Sequence, residues 1–260
     1  MRKVSIIILT FNAPAYVKRT LKSLRYTDYD NYEVIVFDNH SDAKTRKYLK
    51  SMEGKGYFDK IIYSDENLMF IKGNNEAFKH IAHDSELVMF LNSDVEIRNR
   101  EWLKAIVETH KTGLTGLDCQ DKLSQRPDGW CIMLDTFLYD RFKLNEVKYR
   151  FYYSVADLNA KLINAGYAVQ TIDHYSNLIW HFGNASGFPN LVQKFKKSNP
   201  DLQEDSTDGI VFKRKCELID RLEVPANTGV SPSILLASYN FYQQTRRAVI
   251  FKSKRVLKKD

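Results

Sequence analysis

An apolar run in the first half of the chain ends abruptly in carboxylates. Residues 87–91 are all apolar, and Asn92, Ser93, Asp94 and Glu96 follow directly. A buried strand gains nothing from acids at its tip, because a charge taken out of water needs a partner. These residues therefore predict a site that receives a positive charge.

Two other apolar runs also end in polar residues. The three clusters are Thr10-Phe11-Asn12 after residues 4–9, Asp38-Asn39 after residues 32–37, and Asn92-Ser93-Asp94 after residues 87–91. Ligands of open parallel sheets bind beyond the carboxyl ends of the strands. We therefore expect the three clusters to meet at one edge of a sheet and to form a binding site there.

Short apolar runs alternate with amphipathic segments through the first hundred residues. We predict strands at residues 4–9, 32–37, 60–63 and 87–91. We predict helices that start at Asn12, with Pro14 in the first turn, and at Ser41 or Asp42, and a further helix at residues 73–80. This alternation predicts an α/β fold with a Rossmann-like, mainly parallel sheet flanked by helices.

The second half of the chain has a less regular pattern. Residues 130–134 and 167–172 are typical of strands, and Val155, Leu158 and Leu162 have helical spacing that ends near Gly166. From residue 188 onward the sequence is polar and basic, which predicts a mainly helical C-terminal region at 188–260 beside one domain at 1–187.

Basic residues outnumber acidic ones, and the formal net charge is +7. The C-terminal tail contributes Arg246, Arg247, Lys252, Lys254, Arg255, Lys258 and Lys259 before its single acid, Asp260. The excess fits a solvated lysine-rich surface, and it fits equally an anionic partner such as phosphate, nucleic acid or an acidic membrane face.

The cysteines and the apolar runs bear on the compartment. Cys119, Cys131 and Cys216 are scattered, which favours a reducing cytoplasm over a disulfide framework. No run approaches the roughly 18 apolar residues of a membrane-spanning helix. Residues 4–9 are short for a signal peptide and predict a first strand instead. We expect a cytoplasmic protein, with peripheral membrane contact as an alternative.

Four blocks, in this order, resemble the motifs of one enzyme family. They are SIIILTFN at residues 5–12, VIVFDNHSD at residues 34–42, Glu66-Asn67 with Gly73-Asn74-Asn75, and LNSD at residues 91–94. Together they look like family 2 glycosyltransferases of the GT-A fold, with most similarity to the rhamnosyltransferase-like branch. The resemblance spans roughly residues 4–187, with a nucleotide-sugar half at about 1–97 and an acceptor half at about 98–187.

The resemblance implies transfer of a sugar from a nucleoside diphosphate donor, UDP- or dTDP-linked, to an acceptor hydroxyl with inversion. Mn²⁺ or Mg²⁺ would neutralise the leaving diphosphate. Asp94 matches the metal-binding acid of the family's DxD-like motif, and His181 matches a late His-x-Gly-x-x-Ser block near the metal. The donor-binding residues implied in the same way are Thr10, Asn12, Asp38, Lys72, Gly73, Asn75 and Ser93.

Some of these assignments have competing structural explanations. Asp38 matches the acid that hydrogen-bonds the nucleobase or ribose, although an acid at a strand end also serves in turns. Lys72 stands where the branch often has glycine, and it either reaches a phosphate or is simply solvated. Met69 replaces another glycine of the same segment.

The catalytic base is the weakest part of the match. Inverting transfer needs a base within hydrogen-bond reach of the acceptor hydroxyl. The family takes it from a Glu-Asp-x-Asp-Leu segment, which in this chain is Ser154-Val155-Ala156-Asp157-Leu158. The resemblance therefore assigns the base to Asp157. The alternatives are a carboxylate such as Asp135 or Glu146, or a protein that binds a donor and catalyses little.

The sequence leaves the chemical class of the acceptor undetermined. A saccharide or lipid-linked saccharide ranks first, and a hydroxylated DNA base, which would have to be flipped out, ranks second. The basic tail would contact a membrane in the first case and DNA in the second. A non-catalytic binder of nucleotide sugar or nucleic acid is a third reading. A sugar nucleotidyltransferase is disfavoured, because residues 10–14 offer no Gly-rich basic loop.

Overall fold

The structure is a computed structural model that describes residues 1–118, 127–149, 154–172 and 177–182. The predicted basic region at 188–260, with its cationic tail, lies outside the described residues, as do Gly183 and Ser186 of the late histidine block. The division into two domains stays a prediction. Within the described ranges, no helix has the length and apolar character needed to cross a bilayer.

The strands form one large sheet and one small one. They are β1 (Val4–Thr10), β2 (Tyr32–Asp38), β3 (Lys60–Tyr63), β4 (Leu87–Leu91), β5 (Val95–Ile97), β6 (Gly113–Asp118), β7 (Pro127–Asp135), β8 (Ala168–Ile172) and β9 (Ile179–His181). The large sheet has the order β3-β2-β1-β4-β7-β6-β8, and β5 pairs with β9. Every strand predicted from the sequence is present; β3 and β4 have the predicted bounds, and the others differ at one or both ends.

Most neighbours in the large sheet are parallel. β1 runs parallel to β2 and β4, β2 to β3, and β6 to β8. β7 is antiparallel to both of its neighbours, β4 and β6. The carboxyl ends of β1, β2, β3 and β4 therefore share one edge of the sheet, and the prediction of a mainly parallel α/β fold is confirmed.

Helices cover both faces of the sheet. They are α1 (Pro14–Leu24), α2 (Ala43–Met52), α3 (Met69–Phe78), α4 (Trp102–Thr109), α5 (Thr136–Phe142) and α6 (Ser154–Asn164). The alternation of side chains along β1 separates two cores, with Ile6 and Ile8 on one face and Ile7 on the other. α1, α2 and α4 pack on the first face, and α3, α5 and α6 pack on the second.

The structure confirms one of the predicted helix starts and corrects two. Asn12 does not cap α1, because its side-chain oxygen accepts a hydrogen bond from the Asp42 amide at 2.7 Å, and Ala13 takes the N-cap position without a side-chain bond. Asp42 caps α2 by accepting from the Thr45 amide at 2.8 Å. α3 begins at Met69 rather than at residue 73.

Candidate active site

The three polar clusters meet at the carboxyl edge of the sheet, as predicted. β1 lies between β2 and β4, so Thr10 stands between the strand ends that lead to Asp38 and Asp94. Thr10 and Asp38 are paired in register, and the Thr10 hydroxyl lies 3.5 Å from Asp38 Oδ1. Both side chains are buried. The edge therefore carries two carboxylates, on either side of β1.

Asp38 has a cationic partner that the sequence reasoning missed. Its carboxylate is fully buried, and Arg46 Nε donates to Asp38 Oδ2 at 2.7 Å. The Ser41 amide donates to the same oxygen at 3.3 Å. Arg46 also donates to the Ser64 carbonyl, so it joins the ends of β2 and β3. The sequence does contain a sign of this pair, because Arg46 is a basic residue one turn into the helix that follows Asp38.

The loops after β1 and β2 are tied to each other. The Asn12 amide donates to Ser41 Oγ at 2.8 Å, in addition to the bond between its side chain and the Asp42 amide. Asn12, Ala13 and His40 all have positive φ, at 55°, 55° and 61°. Left-handed backbone at residues other than glycine costs energy and clusters at functional sites. The geometry makes Asn12 a bridge between the two loops that border the predicted donor pocket.

A second asparagine arranges the start of α3. The side chain of Asn39 donates to Asn67 Oδ1 at 2.8 Å and to the Met69 carbonyl at 3.1 Å, and it accepts from the Leu68 amide at 2.7 Å. Met69 adopts φ 63°, the left-handed conformation that glycine takes most easily. The left-handed backbone is the reason why a glycine suits this position in the family, and this chain adopts the same conformation with a methionine.

The predicted donor residues on α3 differ in their surroundings. A Cβ on Gly73 would lie 2.9 Å from Leu9 Cδ1, so glycine lets α3 approach β1 closely. Lys72 is more than half exposed and is 3.9 Å from a Glu66 carboxylate oxygen. The side-chain oxygen of Asn75 accepts a hydrogen bond from the Tyr139 hydroxyl at 2.7 Å, inside the protein. Donor contacts by these residues stay predictions.

The acidic loop after β4 is held in place by α1. The Thr20 hydroxyl lies 2.8 Å from the carbonyl oxygens of Ser93 and Val95, and it accepts from the Val95 amide at 3.1 Å. Arg19 donates to both carboxylate oxygens of Glu96, at 2.9 and 3.1 Å. Glu96 therefore has its positive charge within the protein.

The small sheet brings His181 to Asp94. β5 and β9 pair antiparallel, with Val95 opposite His181. His181 Nε2 lies 3.2 Å from Asp94 Oδ1, and both side chains are largely buried. The ring of Trp130 stacks on His181 with centroids 4.7 Å apart and planes 3° apart, which fixes the orientation of the imidazole. The predicted pair of metal ligands is thus assembled from distant parts of the chain.

The spacing of the pair is compatible with a divalent cation. Two adjacent ligands of an octahedral ion, each at about 2.1 Å, are roughly 3.0 Å apart. The observed distance of 3.2 Å between His181 Nε2 and Asp94 Oδ1 is close to that value. The described residues contain no group of three or more His, Cys, Asp or Glu side chains able to hold a metal. The protein would supply two ligands, and phosphate and water the others.

The N-terminal turn of α6, which carries Asp157, lies near this edge. A Cβ on Gly129 would be 3.0 Å from Val155 Cγ2, and Gly129 precedes Trp130, whose carbonyl accepts from the Asn92 amide at 2.8 Å. The first turn of α6 thus borders the strand that supports His181. Asp157 is about one-fifth exposed and forms an ion pair with Lys161 at 2.8 Å.

The other two candidate bases are placed differently. Asp135 pairs with Leu87 at the start of β4, so it lies at the opposite edge of the sheet, roughly 13 Å from the end of that strand. Arg2 and His110 bind its carboxylate there, at 2.5 and 3.1 Å. Glu146 accepts a hydrogen bond from Asn75 at 2.7 Å. Topology excludes Asp135 as the base.

A model of one protein family matches the part of the chain that carries this edge. The model, described as glycosyl transferase family 2, matches residues 5–154, which is more than half of the 260 residues. The chain belongs to glycosyl transferase family 2. The match includes Asp38 and Asp94 and ends before Asp157 and His181, so the last two rest on the geometry and on the resemblance of shorter blocks.

A curated relative matches less than half of the chain. A Methanococcus voltae protein, named dolichyl N-acetyl-alpha-D-glucosaminyl phosphate 3-beta-D-2,3-diacetamido-2,3-dideoxy-beta-D-glucuronosyltransferase, is 32% identical over 114 residues. The match covers 43% of this chain and 35% of that protein. The chain therefore spans about a third of the length of this relative.

Two solved structures have a similar fold. Mannosyltransferase PcManGT from Pyrobaculum calidifontis, in complex with GDP-Man and Mn²⁺, has a TM-score of 0.59 and 16% identity, over 94% of this chain and 81% of that chain. S. aureus TarS 1–349 in complex with UDP-GlcNAc has a TM-score of 0.51 and 17% identity, over 86% and 76%. The predicted GT-A fold and the predicted family are confirmed.

Proposed function

We propose that this chain is a nucleotide-sugar-dependent glycosyltransferase that uses a divalent cation held by Asp94 and His181. The observation that carries the proposal is the 3.2 Å approach of Asp94 Oδ1 and His181 Nε2 at the carboxyl edge of the sheet. A carboxylate and an imidazole in this arrangement fit Mn²⁺, and Mg²⁺ is the alternative. When bound, the cation stabilises the negative charge on the departing diphosphate.

The donor pocket proposed here lies at the ends of β1, β2 and β3. Arg46 holds the Asp38 carboxylate in place, and Asn12 and Asn39 fix the surrounding loops. These contacts are made before any ligand arrives, so the pocket would need little rearrangement on binding. A UDP- or dTDP-linked sugar is the proposed donor. One structural neighbour was solved with UDP-GlcNAc and another with GDP-Man, so the base must be tested directly.

Asp157 is the proposed base for inverting transfer. It lies in the first turn of α6, and Val155 of the same turn lies next to Gly129 of β7. A carboxylate within hydrogen-bond reach of the acceptor hydroxyl can take its proton. Asp157 forms an ion pair with Lys161 at 2.8 Å within the same helix. Replacing Asp157 with Asn should leave donor binding unchanged and lower the transfer rate roughly 100-fold or more. Equal activity in the variant would move the base elsewhere.

A lipid-linked saccharide is the proposed acceptor. The Methanococcus voltae relative acts, by its name, on a dolichyl-phosphate-linked N-acetylglucosamine. The identity over 114 residues supports the same class of acceptor here. A DNA base stays an alternative, and the tail on which it depends lies outside the described residues.

The assignment of Asp94 can be tested with a neighbouring acid as control. Asp94→Asn removes a proposed ligand, whereas Glu96→Gln changes an acid two positions away that Arg19 already neutralises. Calorimetric titration with UDP-sugars in the presence of Mn²⁺ should show a loss of roughly 100-fold or more in affinity for Asp94→Asn and His181→Gln, and a small loss for Glu96→Gln.

The same experiment separates function from site assignment. If no UDP-, dTDP- or GDP-sugar binds the wild-type protein with Mn²⁺ or Mg²⁺, the proposed function is wrong. If a donor binds and Glu96→Gln is as harmful as Asp94→Asn, the function stands and the metal site is elsewhere. Release of nucleoside diphosphate in the presence of an acceptor then distinguishes an enzyme from a binding protein.

A further inference from the structure

Helices α1 and α2 carry only one sign of charge. Their sequences are PAYVKRTLKSL and AKTRKYLKSM, and neither contains Asp or Glu. Together they contain Lys18, Arg19, Lys22, Lys44, Arg46, Lys47 and Lys50. The nearest carboxylates along the chain belong to Asp42 and Glu53, which flank α2, and to Asp28, which follows α1. Two neighbouring helices without a single acid form an unusually basic part of the surface.

The arginines and lysines of these helices have different roles. Arg19 and Arg46 are directed to the protein's own carboxylates, on Glu96 and Asp38. Lys50 is exposed and lies over the ring of Tyr63, 5.8 Å from its centroid. Lys18, Lys22, Lys44 and Lys47 are exposed, and no carboxylate of the described residues pairs with them. On the other face of the sheet, Lys79 and Lys143 each pair with an acid three residues earlier. The four unpaired lysines are called the lysine face below.

The lysine face points in one direction. Val17 and Leu21 of α1 and Leu49 of α2 belong to the same core, so both helices pack on the same face of the sheet and expose their opposite sides together. Lys18 and Lys22 are four residues apart and Lys44 and Lys47 three apart, which places each pair on one side of its helix. Four positive charges are therefore presented to a single partner.

We propose that the lysine face binds the surface of an anionic lipid bilayer. Lysine is a flexible point charge that suits a layer of mobile phosphates, and each lysine near such a surface strengthens binding about five-fold. Recognition of nucleic acid relies more on arginine and on aromatic side chains that stack on bases. Both arginines of these helices are engaged within the protein, so the bilayer is the better match.

Tyr26 supports the choice of partner. It follows α1 and is 69% exposed, and among the described residues few other large apolar side chains remain in solvent. Tyrosine favours the boundary between lipid headgroups and water, since its ring is apolar and its hydroxyl is polar. The inference does not depend on the proposed function, although contact with a bilayer would bring the protein to a lipid-linked acceptor.

Co-sedimentation with vesicles tests the inference on the full-length protein. The vesicles contain phosphatidylcholine alone or with phosphatidylglycerol, at low and high salt. The test variant is K18Q/K22Q/K44Q/K47Q, and the control is K79Q/K111Q/K143Q/K148Q, whose lysines are also exposed and lie outside α1 and α2. Each variant lowers the formal net charge of +7 by four. Unchanged circular dichroism and thermal unfolding show that both remain folded.

The expected result is binding of the wild-type protein to anionic vesicles only, and its release at high salt. The test variant should lose roughly 50-fold or more in partition coefficient, and the control less than about five-fold. Equal losses in both variants would show that only net charge matters. No loss in the test variant, or no binding by the wild-type protein, also overturns the proposal. Stronger binding to duplex DNA through the same lysines would assign the face to nucleic acid.

Discussion

Removal of Arg46 should destabilise the protein strongly, because it leaves a charged carboxylate buried without its cation. Asp38 is 0% exposed and its Oδ2 lies 2.7 Å from Arg46 Nε. Breaking a buried ion pair from one side costs about 3–5 kcal/mol. We expect Arg46→Met to lower the free energy of unfolding by about 4 kcal/mol, or the melting temperature by about 8 to 16 °C. Urea denaturation at pH 7 measures the first quantity.

Two further variants test whether the burial of the Asp38 carboxylate is the reason for this loss of stability. Arg19→Met breaks a pair of similar length, 2.9 Å, but Arg19 is 48% exposed and Glu96 is 27% exposed. Water screens such a pair, and its loss should cost at most about 1 kcal/mol. In the double variant Asp38→Asn/Arg46→Met no buried charge is left, so it should recover at least half of the stability that Arg46→Met loses.

The outcome that would refute this reasoning is specific. If Arg46→Met costs no more than Arg19→Met, the Asp38 carboxylate is not held by Arg46 in the way the geometry indicates. If the double variant is as unstable as the single one, the loss comes from packing of the arginine stem and not from an unpaired charge. An unchanged m-value is required for either comparison, because it shows that the unfolded states are alike.

Three other predictions concern the fold around the site. Gly113→Ala would place a Cβ 1.9 Å from a carbonyl oxygen of β8 and should lower the free energy of unfolding by about 3 kcal/mol or more. Gly54→Ala, where a Cβ would have no atom within 4 Å, should lower it by about 1 kcal/mol. Urea denaturation compares the two variants. Burial raises the pKa of Asp135, but hydrogen bonds from His110, the Gly113 amide and Arg2 outweigh it and lower the pKa to about 2. This depressed pKa contributes about 2 kcal/mol of stability, which is complete above pH 4 and is lost as pH falls towards 2. The stability of Asp135→Asn, measured by denaturation at a series of pH values across that range, should not show this loss. Ala13→Gly should keep or raise the melting temperature because φ is 55° there, whereas Ala105→Gly inside α4 should lower it by a few degrees.

Local patterns were enough to predict the strands and their common edge. The apolar runs that became β1, β2 and β4 end in polar residues, and parallel connections place those ends together. Helix starts were harder, because Asn12 has the side chain of an N-cap but uses it on the Asp42 amide. A capping preference is local, and a partner 30 residues away in sequence overrides it.

The partners of the charged residues could not be read from the sequence. Glu96 and Asp94 look alike there, but α1 neutralises Glu96 with Arg19 and leaves Asp94 beside His181. Asp135 was a candidate base until the antiparallel direction of β7 placed it at the far edge of the sheet. Alternation along a strand shows which face a residue takes and does not show which way the strand runs.

The sequence by itself thus determined the family, the mainly parallel sheet and the edge at which chemistry is expected. Each of these depends on short-range order of residue types along the chain. Only the tertiary structure decided that Asp38 is paired with Arg46 and that β5 and β9 bring His181 to Asp94. Electrostatic pairing depends on distances of a few ångströms between side chains that are remote in sequence, and only packing sets those distances.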